Sequence, residues 1–299
     1  MRTTLSLEAL EVIDAIDRRG SFAAAAAVLH KVPSAVSYTV QKLEQDLDVN
    51  LFQKQGRRAV LTAAGRHLVD EGRHLLMAAQ ALAAGTQQIA IGWEPRLRIA
   101  VDTIVPLAEI MPLLRELQAV QPRVEVSLAT EVLAGSWEAL LEDRVELLIG
   151  GVEGVPGRKG LCSEPWRRVR HCFVAAPDHP VCAEPAPISV EAVRRHHAVV
   201  ISDTSRNSAT LSRGMLGQQS CIYVPTMEAK VEAHCQGLGV GFVPESHGAR
   251  QLASGRLVAL EVAEPQQDSQ LCLAWKLGNR GQGLHFLIER LRDIADITS

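Results

Sequence analysis

Between Lys31 and Leu47 the chain reads KVPSAVSYTVQKLEQDL, where Val36, Val40, Leu43 and Leu47 recur at helical spacing and predict one buried stripe. The other side carries Ser34, Ser37, Tyr38, Gln41 and Gln45, hydrogen-bonding groups where a solvated helix would carry Lys and Glu. Upstream, Leu7, Leu10, Ile13 and Ile16 form a stripe at spacing three, and Gly20 stands where a helix-ending residue with positive φ is wanted. Ser21 is placed to cap a second helix, FAAAAAVLH, whose alanines let neighbours lie close. A tight turn follows, His30 to Val32. Pro33 suits the first position of a third helix, because its missing N–H would have no partner there and its φ is already helical. Two helices joined by so short a turn cross steeply, as in a helix-turn-helix.

In such a unit the last helix buries one stripe and lays the other into the DNA major groove. Hydroxyls and amides there exchange hydrogen bonds with base edges and phosphates, whereas Glu would be repelled. The same pattern also fits a core helix that exposes hydroxyls, and the pattern alone leaves both open. LFQKQGRRAVLT reads as a short hairpin with its turn at Gln55-Gly56, Phe52 and Leu61 inward, and Lys54, Arg57 and Arg58 at the tip. Beside a reading helix, a basic hairpin is a wing that neutralises phosphates; alone, it is a solvated turn.

From Thr62, an N-cap, a long helix is predicted to about Ile91. Leu61, Leu68, Leu75, Leu82 and Ile89 fall every seven residues, with Gly72 and Ala79 beside them for close approach of a second helix. That seam predicts a dimer; the alternative is packing on the same chain. From Pro95, apolar strands (LRIAV, VEVSL, ELLIG, CFVAA, AVVIS, CIYV, LCLAW) alternate with helical LAEIMPLLRELQAV, SWEALLEDR and TMEAKVEAHCQGL, predicting parallel α/β units in two lobes. Ligands of open α/β sheets lie at the strands' carboxyl ends, near helix N-termini that favour anions. The expected ligand residues are therefore Asp102, Thr103, Ile104, Leu133, Ser136, Ser202, Asp203, Thr204 and Thr226, with Phe242 as an apolar wall.

A 299-residue chain with 47% hydrophobic and 22% charged residues is globular and long enough for two or three domains. No apolar run reaches the roughly 18–20 residues of a membrane span, and the first twenty residues lack the order of a signal peptide, so a cytoplasmic protein is expected. The net charge of −3 argues against coating nucleic acid by charge alone; Met1 to Thr62 holds eight Lys or Arg against seven Asp or Glu. Six cysteines, at 162, 172, 182, 221, 235 and 272, make no C-x-x-C pair, which predicts reduced thiols and no metal site.

The residues from SLEALEVIDAIDRRGSF through LTAAGR resemble the N-terminal domain of LysR-type transcriptional regulators without a gap. The likeness includes Gly20-Ser21-Phe22, Ser37, Leu43-Glu44, Leu51-Phe52 and the exit Leu61-Thr62-Ala64-Gly65. APDHP at 176–180, TMEAKVEAHCQGLGVGFVP at 226–244 and GRLVAL at 255–260 extend it over nearly the whole chain, and VPSAVSYTVQKLE and EVLAGSWE resemble a YhaJ-like subgroup. The resemblance implies an α plus α/β architecture: a winged helix-turn-helix (1–62), a dimerising linker helix (63–92) and a two-lobed effector-binding domain of periplasmic-binding-protein type (95–299). Lobe I would take about 95–165 and 268–299, lobe II about 166–267. It implies double-stranded DNA with an interrupted palindrome, a small organic effector, self-association to a dimer and tetramer, and RNA polymerase as partners, with no cofactor and no membrane. The residues expected on DNA are Ser21, Pro33, Ser34, Ala35, Ser37, Tyr38, Gln41, Lys42, Lys54, Arg57 and Arg58. Val32, Tyr38, Asp48 and Lys54 depart from the family, which usually has a capping Thr or Ser, an Arg, a Gly and an Arg there.

The rival is a solute-binding or catalytic α/β protein with an incidental helical N-terminus. Transport is disfavoured by the lack of an export signal, and catalysis by the lack of G-x-S-x-G, H-E-x-x-H or a P-loop; Gly237-Leu238-Gly239-Val240-Gly241 has the wrong glycine spacing and runs into an apolar strand. His196-His197 and His234-Cys235 read as structural pairs. Redox sensing would need an exposed, low-pKa thiol, and Cys221 and Cys235 fall in a predicted strand and helix.

Overall fold

The computed structural model describes residues 5–55, 58–152, 160–206 and 219–297. The chain divides into two compact units, Met1–Gln88 and Ile89–Ser299.

The first unit contains α1 (Leu7–Arg19), α2 (Phe22–Val28), α3 (Pro33–Leu47), the hairpin β1 (Phe52–Gln55) and β2 (Arg58–Leu61), and α4 (Ala63–Ala90). The Ser6 and Ser21 hydroxyls accept the N–H groups of Ala9 and Ala24, starting α1 and α2, and Gly20 ends α1 at φ +72°. The turn into α3 places His30 at φ +53°; Val32 precedes α3 without a side-chain cap, and Asp48 closes it at φ +54°. Leu10, Ile13 and Ile16 pack on Ala25, Ala26, Val36, Val40, Leu43 and Leu51, while Leu47 is half-buried at the edge of that core.

Two features of the predicted seam differ. Leu61 lies in β2 and packs into the helix-turn-helix core, so the seven-residue series enters α4 only at Leu68, itself against that core. Gly72 is buried under Leu10, whose Cδ2 would lie 3.0 Å from an added Cβ. It therefore admits α1 of its own chain rather than a second long helix.

The second unit begins with β3 (Arg96–Asp102), α5 (Leu107–Val120), β4 (Glu125–Glu131), α6 (Ala134–Leu141), β5 (Leu147–Val152) and β6 (Leu161–Val169). There follow β7 (His171–Ala175), α7 (Val190–Arg194), β8 (Ala198–Ile201), β9 (Cys221–Val224), α8 (Met227–Cys235), β10 (Gly241–Pro244), α9 (Glu245–Ala253) and β11 (Val258–Leu260). β12 (Ser269–Lys276) and α10 (Gln282–Ile297) complete it.

One sheet has the order β4-β3-β5-β12-β6, with β3 parallel to β4 and β5 but β12 antiparallel to β5 and β6. The other lobe holds β10-β7-β11, all antiparallel, and a parallel β8-β9 pair. The expected parallel units are β4, β3 and β5, and antiparallel strands join them because the chain leaves the first sheet after Val169 and returns to it in β12. Leu97, Ile99, Leu117, Leu147, Leu273 and Leu291 fill the core of the first lobe; Phe173, Val181, Val193 and Val240 that of the second.

Candidate nucleic-acid interface and ligand cleft

Because α3 spends Val36, Val40 and Leu43 on the core, its opposite side is left to solvent. Ser34, Tyr38, Gln41 and Gln45 are exposed at helical spacing and form a single line, with Lys42 exposed beside it and Tyr38 66% exposed. Ala35 and Ser37 are half-buried at its margin, and Pro33 is exposed at the start of the helix. Ser21 is exposed, but its hydroxyl is engaged at 3.2 Å by Ala24 N–H. The Thr39 hydroxyl donates to Ala35 O at 3.0 Å, inside the helix.

Two acids of α1 are neutralised within the unit: Arg73 donates to Asp14 at 2.6 Å and to Asp17 at 2.8 Å, and Arg66 to Asp17 at 3.2 Å. The hydrogen bond that Arg73 donates to Asp14 is the main reason its pKa stands above the ordinary value. A near-even charge count for this segment therefore understates the neutrality of its acids.

The hairpin is fastened to α3. Glu44 Oε1 accepts Leu51 N–H at 2.7 Å and Phe52 N–H at 3.1 Å, and the Phe22 and Phe52 rings meet edge-on at 5.4 Å. Thr62 accepts Gly65 N–H at 3.0 Å as the cap of α4 and donates to Asn50 O at 2.7 Å. Gly65 is required because an added Cβ would stand 2.1 Å from Leu51 O. Gln55 pairs with Arg58 in the ladder, and the turn expected at Gln55-Gly56 reaches into Gly56, outside the described residues. Gly56 and Arg57 lie outside the described residues, as do the side chains of Lys54 and Arg58, whose backbones pair with Ala59 and Gln55.

In the second unit, Asp102 at the end of β3 organises the ligand region. Its buried carboxylate accepts Ile104 N–H at 3.1 Å, Leu133 N–H at 3.1 Å and the Ser136 hydroxyl at 2.8 Å. The Asp203 carboxylate, from the other lobe, accepts Gly135 N–H at 3.1 Å. Thr204 accepts Val132 N–H at 2.9 Å and donates to Glu131 at 2.5 Å. The N-terminus of α6, expected to hold a ligand anion, is therefore occupied by the chain's own carboxylates, as its dipole favours. Asp203 and Thr204 tie the two lobes, while Ser136 serves Asp102 within the first lobe. Thr226 caps α8 through Ala229 N–H at 3.2 Å, and Ser202 is exposed with its N–H donated to Val224 O.

Between the lobes lies a small cleft of about 70 Å³. Of the predicted residues it is lined by Asp102, Thr103, Ile104, Leu133 and Phe242; Leu133 is held at φ +51° by its bond to Asp102. Sequence reasoning missed His171, Met227, Lys230, Gln266 and Ser269, which share the lining. A signal existed for one of them: Met227, Lys230, Val231 and His234 follow the i, i+3, i+4, i+7 pattern of a buried stripe, with a lysine on it, and all are buried. His234 keeps Nδ1 against Gly239 O at 3.0 Å, and burial pulls its pKa down to about 4.

Burial raises the pKa of the Cys172, Cys182 and Cys235 thiols, the opposite of what a thiolate sensor needs. Among the described residues no group of His, Cys, Asp and Glu is placed to hold a metal ion, and no helix is long and apolar enough to cross a membrane.

Two family models match the chain: "Bacterial regulatory helix-turn-helix protein, lysR family" over residues 7–66 and "LysR substrate binding domain" over residues 90–295. The probable HTH-type transcriptional regulator YhaJ of Escherichia coli K12 is 38% identical over 289 residues, 96% of each chain. The HTH-type transcriptional regulator PunR of the same organism is 37% identical over 284 residues, 95% of this chain and 92% of that one. Among solved structures, an OxyR mutant from Corynebacterium glutamicum superposes with a TM-score of 0.67 at 15% identity, covering 98% of this chain and 96% of that one. Full-length LysG from the same organism, with bound effector Arg, gives a TM-score of 0.51 at 24% identity, covering 97% and 98%. The structural likenesses establish the fold.

Proposed function

The chain belongs to the LysR family of bacterial helix-turn-helix regulators of transcription, and from that premise we propose that the exposed line of α3 reads DNA base edges while the interlobe cleft receives the effector. It is a DNA-binding, effector-responsive regulator and not an enzyme.

The observation that carries the DNA reading is the row Ser34, Tyr38, Gln41, hydrogen-bonding and exposed on a helix whose other stripe is buried. Lys42 flanks it, while Ser21, Pro33, Ala35 and Ser37 lie where the first turns of α2 and α3 would meet the backbone of the duplex. Lys54, Arg57 and Arg58 are the wing's phosphate contacts. Two copies would address successive major grooves of an interrupted palindrome. Each bidentate base contact is worth about 1–3 kcal/mol of discrimination, and each neutralised phosphate steepens the salt dependence.

Leu75, Leu82 and Ile89 on α4 are 51%, 73% and 64% exposed and keep the seven-residue register. Such a run of uncovered apolar side chains supports a dimer seam, on which a tetramer is built. The protein would act in the cytoplasm, with RNA polymerase as the eventual partner.

For the effector, Thr103, Ile104, Leu133 and Phe242 form the receiving surface, and Asp102 orders it. The solved LysG complex, which holds arginine as effector in the same fold, supports a small molecule here.

The test is a salt-resolved binding assay. Ser34→Ala or Gln41→Ala should relax preference at particular base pairs, and Arg57→Ala should weaken binding to every duplex and flatten the salt slope by about one. The reverse pattern would refute the assignment.

A further inference from the structure

We propose that the cleft accepts a small organic monoanion, its charged oxygen paired with the ammonium of Lys230 and its apolar remainder against Ile104, Leu133 and Phe242. This rests on the reading of the cleft as the effector site.

Lys230 stands on the buried stripe of α8, is 7% exposed, and lines the cleft. Its ammonium makes no hydrogen bond or ion pair among the described residues. A largely buried cation without a partner is costly, and one that faces a cleft marks a candidate binding site. Burial alone pulls its pKa from 10.5 to about 8, with no carboxylate opposing the fall.

The surroundings show why the partner must arrive from outside. α8 packs on β7, β8, β9, β10 and α9. β8 and β10 carry no titratable side chain, β7 brings His171 and Cys172, and β9 brings Cys221 and Tyr223. From α9 come Glu245, His247 and Arg250, and α8 itself adds Glu228, Glu232, His234 and Cys235. Glu232 is committed to Arg256 and Gln236, and Glu245 to Arg170. Across the cleft, Asp102 already receives Ile104, Leu133 and Ser136. The rest of the lining is apolar or neutral, apart from His171.

A neutral ligand would strip water from the ammonium and return nothing for it. A dianion would bring a second charge into an apolar enclosure. One negative charge on a short apolar body fits both the single cation and a cleft of only about 70 Å³.

The test titrates the full-length protein with acetate, butyrate and hexanoate, and in parallel with acetamide, butyramide and hexanamide, by calorimetry. At least one carboxylate should bind about tenfold or more tightly than its amide, as a charge-assisted contact implies. Its affinity should fall as pH rises through about 8, where Lys230 loses its proton. Lys230→Met should erase the preference and the pH dependence, and Lys230→Arg should keep the preference. Absence of carboxylate binding, amides binding as well as acids, or an unchanged preference in Lys230→Met would each overturn the proposal.

A footprint on promoter DNA separates the two levels of the reading. If amides bind and shift the footprint while acids do not, the anion inference alone falls. If neither series binds and Ile104→Trp leaves the response to a cell extract of small metabolites unchanged, the cleft falls as the effector site too.

Discussion

The Glu44 carboxylate accepts the backbone N–H of Leu51 at 2.7 Å, which makes the reading helix and the hairpin one rigid piece. Glu44→Ala would leave the N–H groups of Leu51 and Phe52 without their acceptor and should cost about 1–3 kcal/mol of stability. Affinity should fall on specific and random duplexes alike, with sequence preference kept. Thermal unfolding together with binding to both kinds of duplex measures this.

Gly135 has no room for a side chain: a Cβ there would lie 2.0 Å from the Thr204 hydroxyl and 2.8 Å from the Thr204 carbonyl carbon. Gly135→Ala should force the lobes apart at this tie, with a loss of about 1–3 kcal/mol. DNA binding without effector should survive and the effector response should not. Denaturant unfolding and an effector-dependent footprint report the two effects.

Leu75→Asp combined with Leu82→Asp should turn the assembly into single chains by sedimentation. Binding to a two-half-site duplex should drop by at least about tenfold, and to an isolated half-site hardly at all.

His234 is fully buried, and its pKa is lowered from 6.5 to about 4 mainly by burial. Between those values the unfolded chain carries the proton and the native chain does not, so its contribution is fully present above about pH 6.5 and is lost as pH falls toward 4. The loss is bounded at about 3 kcal/mol. The urea midpoint should decline across this window, and His234→Phe should flatten the decline.

Lys230 acts at the other end of the scale. Its folded pKa of about 8 lies below 10.5, so between these values the native state sheds a proton that the unfolded state keeps. Stability should therefore rise with pH over that range. Lys230→Met should raise stability at neutral pH by up to about 3 kcal/mol, measurable as a higher thermal midpoint.

Much of this was legible in the sequence, for local reasons. Gly20 at φ +72°, Ser21 as a cap and Pro33 at the start of α3 each follow from the chemistry of one or two residues. The stripe of Val36, Val40 and Leu43 follows from period alone. What the sequence did not show depended on distant partners. Gly72 serves Leu10, sixty-two positions away, and the hydroxyls of Ser136 and Thr204 answer Asp102 and Glu131 across the fold. A hydroxyl after a strand has the same sequence signature whether it meets a ligand or a carboxylate of its own chain. Lys230 escaped for the opposite reason: its neighbours in the sequence are ordinary, and only the apolar stripe it interrupts marks it.

The chain passes between the lobes of the second unit twice, at Arg170 between β6 and β7, and again on the way from β11 to β12. Two backbone connections constrain the lobes more than one would, much as two pins hold a door more firmly than one. A molecule seated between the lobes would therefore bear on both connections at once.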